Sequence, residues 1–178
     1  GGFSYGDYLR CGSLASHCKI IQKIKKYIKK GGPVIGICNG FQILTEANLL
    51  DGCLLKNTNG KFICKNVKLR ITNTNKYFSD DEISENVISL PIAHGSGRYY
   101  IDDNGLKKLI DQGQILCRYI DNPNGSVYDI AGITDPHGKV WGMMPHPERA
   151  TDSILKNGTD GLKVWDAFYL RMFICINF

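Results

Sequence analysis

The stretch from Val34 to Phe41, Val-Ile-Gly-Ile-Cys-Asn-Gly-Phe, constrains this chain more than any other. A short β-branched run, preceded by Gly31-Gly32-Pro33, reads as a buried parallel strand. Cys38-Asn39-Gly40 turns the chain. Phe41, Ile43, Leu44, Ala47 and Leu50 then recur as one helix begins. Strand, tight turn and helix in that order belong to α/β folds. Gly36-x-Cys38-x-Gly40 is also the thiol form of a nucleophile elbow. Such a turn lifts its nucleophile out of the sheet and tolerates only small neighbours. The helix after it favours the thiolate through its dipole, which matters because a free thiol ionises only near about pH 8.5. Taken alone, the pentapeptide fits a structural cysteine in a strand-to-helix turn equally well.

The remaining periodicities fill out the fold. Leu14, Cys18, Ile21, Ile24 and Ile28 predict an amphipathic helix over 12–30. Strands are predicted at 61–72, 87–93 and 115–120, and a surface loop at 73–86. A hairpin is predicted from 128–134 to 140–143 around the turn Asp135 to Lys139. Helices are predicted at 102–112 and 160–174. The pattern implies an α/β domain over 1–178, with a mostly parallel sheet of flavodoxin-like or Rossmann-like kind flanked by helices and an antiparallel insert late in the chain.

With 43% hydrophobic and 22% charged residues, the 178-residue chain has the makeup of an ordinary globular domain. No apolar run reaches the roughly 18 residues that span a bilayer, and the first residues lack the basic flank and apolar block of a leader. Much of the +5 net charge lies in Lys19, Lys23, Lys25, Lys26, Lys29 and Lys30. These lysines fit the solvated face of a helix, and no aromatic-basic alternation points to nucleic acid. The seven cysteines are odd in number and form no C-x-x-C pair, which argues against a disulfide framework and a zinc site. Reduced thiols in the cytoplasm are the simpler expectation.

A second motif supplies what Cys38 lacks. Met144-Pro-His-Pro-Glu-Arg149 places an imidazole and a carboxylate around Pro147. On an extended segment His146 and Glu148 would point the same way, so Glu148 can orient His146 while its other ring nitrogen takes a proton. Nucleophile, base and orienter are then all present. At the start of the chain, the glycine-rich Gly1 to Tyr8 exposes main-chain N–H groups. Those of Gly2 and Asn39 are candidates for stabilising an oxyanion. A phosphate cradle is the competing reading, although neither glycine spacing for one occurs. His94 and Arg98, in a turn with two glycines, suit a partner surface, the site or a locally packed turn. His17 and His137 read as surface residues.

With these motifs in place the chain resembles the class I (triad) glutamine amidotransferases. It is most similar to the glutaminase subunits of phosphoribosylformylglycinamidine synthase. The resemblance rests on Gly1-Gly-Phe-Ser-Tyr-Gly-Asp-Tyr-Leu-Arg10, Gly36 to Glu46, Pro91-Ile-Ala-His-Gly-Ser-Gly-Arg-Tyr99, Asn122-Pro-Asn-Gly-Ser126 and Gly142 to Arg149. It implies that Cys38 attacks the side-chain amide of glutamine, that His146 shuttles the proton, that Glu148 orients His146, and that Gln42 lines the glutamine site. It implies no cofactor or metal in this chain. Ammonia passes to a synthetase subunit that binds ATP and Mg and forms formylglycinamidine ribonucleotide in purine biosynthesis; a small subunit bridges the two. Neither nucleic acid nor membrane is an expected partner. The sequence departs from the family at Ser96, where an acidic residue is usual, and at Asp51, where proline is usual. The family also carries a strand, a helix and further strands ahead of the Gly-Gly loop, so the domain is expected to be incomplete at its amino end. Another triad amidotransferase, serving GMP or CTP synthesis, and a non-catalytic binding fragment are the alternatives.

Overall fold

In the computed structural model, residues 11–72 and 87–174 are described; the glycine-rich start with Gly2 and the predicted loop at 73–86 lie outside them. The chain forms α1 (Cys11–Ser16), α2 (Lys19–Lys29), β1 (Val34–Ile37), α3 (Asn39–Glu46), β2 (Cys53–Leu55), β3 (Ile63–Ile71), β4 (Val87–His94), β5 (Arg98–Tyr100), α4 (Asp103–Asp111), β6 (Ile115–Tyr119), β7 (Ile130–Thr134), β8 (Val140–Met143) and α5 (Gly161–Ile174). Six strands make the main sheet in the order β1-β8-β7-β6-β3-β4, and β2 pairs with β5 in a separate ribbon.

The α/β class stands, with helices against a curled sheet. Its pairing differs in balance from the mostly parallel sheet expected. Among the described residues the parallel ladder is β1 with β8, and the other pairings of this sheet are antiparallel. The cause is the late hairpin: Asp135 accepts from Lys139 N and Val140 N, each at 2.7 Å, and turns β8 back alongside β7 and into line with β1.

The sheet has an apolar layer on each face. Against α5, Val67, Leu69, Leu90, Ile92, Trp141 and Met143 pack with Val164, Ala167 and Phe168. Trp141 meets Phe168 edge-on at 5.2 Å. On the other side Phe41 and Leu44 of α3, Leu109 of α4 and Tyr99 of the ribbon pack on Ile133, Val140 and Met144, with Phe41 stacked on Tyr99 at 5.8 Å. α3 is thereby fixed over the β1–β8 ladder.

Two helix expectations change. The single helix over 12–30 breaks at Cys18, whose extended backbone separates α1 from α2. Gly12 lies so close to α3 that a Cβ there would stand 2.7 Å from the Gln42 carbonyl oxygen, so α1 follows α3 rather than the axis of α2. Leu14 is exposed as a result. The second helix stops at Glu46 instead of running on towards Leu50. Asn48 takes a left-handed φ of 55°, its N–H bonds Thr45 O at 3.0 Å, and Leu49 N–H bonds Leu44 O at 2.9 Å. This is a Schellman ending with asparagine in the glycine position. In α2, Ile21 is buried while Lys19, Lys23, Lys26, Lys29 and Lys30 lie on its exposed side.

Trp141 is fully buried at the centre of the α5-facing layer. Trp141→Ala is therefore expected to lower unfolding stability by about 3–5 kcal/mol, the usual cost of emptying a large core site. Urea denaturation would read this as a lower midpoint at an unchanged slope.

Candidate active site

Cys38 stands where β1 ends and α3 begins. Its backbone has φ 51° and ψ −107°, outside the wells that an ordinary side chain occupies. A strand-to-helix turn this tight forces that conformation, and such strain persists only where the surroundings over-determine it. Gly36 makes the turn possible: a Cβ there would sit 2.7 Å from the Gly40 carbonyl oxygen and 2.5 Å from Leu44. The expectation that Gly40 is equally crowded is corrected, since a Cβ on Gly40 would meet no described atom within 4 Å. The main-chain N–H of Cys38 donates to Met143 O at 2.8 Å, extending the parallel ladder by one bond. Its side chain is only 6% exposed, and the thiol faces Ala93 O at 3.7 Å.

His146 follows β8 by three residues and is held by its N–H, which donates to Pro91 O of β4 at 2.8 Å. Its Nδ1 meets Glu148 Oε1 at 2.6 Å. The route differs from the one expected. Pro147–Arg149 is a single turn of 3-10 helix with His146 at its cap, not an extended segment. Proline in the first turn favours this, because its fixed φ is helical and its missing N–H costs nothing there. Burial pushes the Glu148 carboxyl up, but the hydrogen bond and charge of His146, with Arg149 at 3.6 Å, outweigh it and leave it below its ordinary value. Glu148 is therefore ionised at neutral pH and accepts the Nδ1 proton. The lone pair of His146 is then on Nε2, which is buried and has no hydrogen-bond partner among the described residues.

Asn39 and Gln42 come to the same place on α3. Asn39 Nδ2 donates to Gln42 Oε1 at 2.8 Å, and Gln42 Nε2 donates to Ser96 O at 2.7 Å. Gln42 thus ties α3 to residues 94–97, the other wall of the site. Gly2 lies outside the described residues. His94, which the sequence left between a surface and the site, is buried at 1% exposure. Burial first, then the field of His146, lowers its pKa to about 4, so it is neutral near pH 7. The ring rests on Gly97, where a Cβ would come within 2.3 Å of it. Arg98 is half-exposed on β5, and His17 and His137 are exposed. The carbonyls of Ala93 and Ser96, and Asn57 behind them, were not singled out from the sequence; only the small residues at 95–97 hinted at close packing there.

Cys53 and Cys64 are unbridged, as is Cys117, whose thiol burial pushes up to about 12. Among the described residues no group of His, Cys, Asp and Glu could hold a metal ion, and no helix is long and apolar enough to cross a membrane.

The chain resembles known proteins in both sequence and structure. The sequence pattern described as the CobB/CobQ-like glutamine amidotransferase domain matches residues 1–175. Among solved structures, PurLQS from Thermotoga maritima is 44% identical with a TM-score of 0.83, covering 97% of this chain and 77% of that one. A glutamine amidotransferase from the same organism, at 18% identity and TM-score 0.52, covers 86% of this chain and 54% of its own. A protein from Thermoplasma acidophilum described as one of the subunits of a GMP synthase, at 14% identity and TM-score 0.53, covers 83% and 61%. These last two share the fold.

The lowered Glu148 carboxyl has a definite sign. Its contribution is present above the ordinary carboxylate value and is lost as pH falls through the lower folded value. The stability difference between the native protein and Glu148→Gln should therefore shrink as pH falls through and below the ordinary carboxylate range. Chemical denaturation across that range would measure it.

Proposed function

The chain belongs to the CobB/CobQ-like glutamine amidotransferase family, and from that premise we propose that it is the glutaminase component of a phosphoribosylformylglycinamidine synthase, with Cys38 as nucleophile. The observation that carries the reading is the 2.6 Å contact of His146 with Glu148, which leaves Nε2 buried and open to take a proton, on the segment that follows β8, the strand paired with the one that ends at Cys38.

The reaction proceeds in two halves. His146 Nε2 takes the thiol proton, and Cys38 Sγ attacks the side-chain carbonyl carbon of glutamine. The oxyanion is met by the main-chain N–H of Asn39, at the head of α3, and by that of Gly2. The imidazolium, stabilised by Glu148, returns its proton to the amide nitrogen. Ammonia leaves and a glutamyl thioester remains. His146 then activates water, which releases glutamate and restores the thiol. Gln42 helps to line the glutamine site.

The similarity to PurLQS supports a synthetase as the partner. That subunit would hold ATP and Mg and use the ammonia to convert formylglycinamide ribonucleotide to formylglycinamidine ribonucleotide. A small subunit bridging the two, and a cytoplasmic setting, complete the proposal.

A glutamine-analogue electrophile, applied with the synthetase partner present, should label Cys38 alone among the seven cysteines, and glutamine should block it. Cys38→Ala and His146→Asn should each reduce glutamine hydrolysis by about 10³-fold or more, since members of such a unit fail together. Peptide mass spectrometry showing Cys38 unlabelled in a folded protein would refute the assignment.

A further inference from the structure

Asn57 lies between β2 and β3, on none of the elements that carry the triad, yet it is only 3% exposed. Its side chain is fully used. Nδ2 donates to Lys61 O at 2.8 Å and to His94 O at 2.9 Å. Oδ1 accepts from Gly97 N at 3.2 Å and faces His94 Nδ1 at 3.1 Å. Two carbonyls require the NH₂ group on one side and a main-chain N–H requires the oxygen on the other, so the amide cannot be turned over. His94 Nδ1 must then be a donor, and the neutral ring keeps its lone pair on Nε2, which is buried without a partner among the described residues. Asn57 N–H also donates to Gly95 O at 2.9 Å.

The tethered segment is the wall already described. Ala93 O stands at the Cys38 thiol, and Ser96 O holds the Gln42 amide. Gly97 O is bound by Asn124 Nδ2 at 2.9 Å, which anchors the far end of the same segment. We propose that Asn57 is a positioning residue of the active centre: by fixing His94 as its Nδ1–H tautomer and gripping residues 94–97, it sets where the carbonyls of Ala93 and Ser96 stand against Cys38 and Gln42. This rests on the glutaminase reading above. A misplacement of about 1 Å in such a constellation costs on the order of 10²-fold in rate.

Asn57→Asp tests this with almost no change of shape. A carboxylate cannot donate to His94 O or Lys61 O, and it gives His94 Nδ1 an anionic partner. His94 then takes up a proton at a higher pH than its native value of about 4. The titratable groups around it are His146, with Glu148 behind it, and the Cys38 thiol at Ala93 O.

The experiment uses the full chain with its synthetase partner. Glutamine hydrolysis by Asn57→Asp should fall about 10- to 100-fold, and its pH profile should gain an ionisation that the native enzyme lacks. The added ionisation should vanish in Asn57→Asp/His94→Asn, whose new amide still donates from the position of Nδ1 but cannot titrate. A merely structural loss would leave the profile's shape unchanged. Imidazole ¹⁵N spectra of the native protein should show His94 neutral and protonated on Nδ1 down to near pH 4, a readout that needs neither activity nor a folded variant. His94 protonated on Nε2, or an Asn57→Asp enzyme with native rate and profile, would overturn the proposal. Native Cys38 left unlabelled by the glutamine analogue would instead sink the glutaminase reading and this inference with it. The tautomer tells the two failures apart.

Discussion

The parallel pairing of β1 with β8 is the constraint on which the rest of this structure depends. It sets Ile37 beside Met143, and the bond from Cys38 N to Met143 O adds one more rung at 2.8 Å. Parallel strands end on the same side of a sheet, so the two motifs leave it together at its carboxyl edge, where α/β folds place their chemistry. Cys38 and His146 are far apart in the chain, and main-chain hydrogen bonds from Cys38 to Met143 and along the β1–β8 ladder bring their segments to one edge of the sheet. A slip of one residue would send every side chain of β8 to the opposite face. The apolar layers on both faces, with Trp141 and Met143 on one and Val140 and Met144 on the other, make that slip costly.

Features governed by local sterics were legible in the sequence. The elbow could be read because only glycine fits at Gly36, and the β7–β8 hairpin because a polar turn separates two apolar runs. The α/β class followed from the order of those pieces. Features governed by distant contacts were not legible. Nothing near Cys18 announces a helix break, because its cause is the approach of Gly12 to Gln42. The balance of parallel and antiparallel pairing depends on which strands meet, and periodicity does not record that. Asn48 was a readable stop signal, but asparagine serves that role less often than glycine. At the site, the Cys38 and His-Pro-Glu motifs stood out because their residues are close in sequence. Asn57 did not: a single asparagine carries no pattern, and its importance comes from four groups that the fold delivers to it.

The walls of the site are stiffened by buried polar bonds. In the turn from Asn122 to Ser126, Asn124 Oδ1 accepts from Ser126 N and Oγ at 3.0 and 2.7 Å, and Ser126 Oγ accepts from Tyr99 N at 3.0 Å. Each of these groups would be costly if left unsatisfied away from water, so the network specifies one loop arrangement and penalises the others. The Asn-Pro-Asn-Gly-Ser stretch thus has a mechanical meaning: it buttresses, through Gly97 and Tyr99, the segment that faces Cys38.

The backbone of Cys38 has a consequence beyond reactivity. A side chain held at φ 51° carries strain of about 1–3 kcal/mol that glycine would not. The position proposed to supply the nucleophilic thiol is therefore one where folding alone would favour having no side chain. Chemistry and thermodynamic robustness pull this residue in opposite directions. A chain released from that reaction would gain stability by replacing this cysteine with glycine.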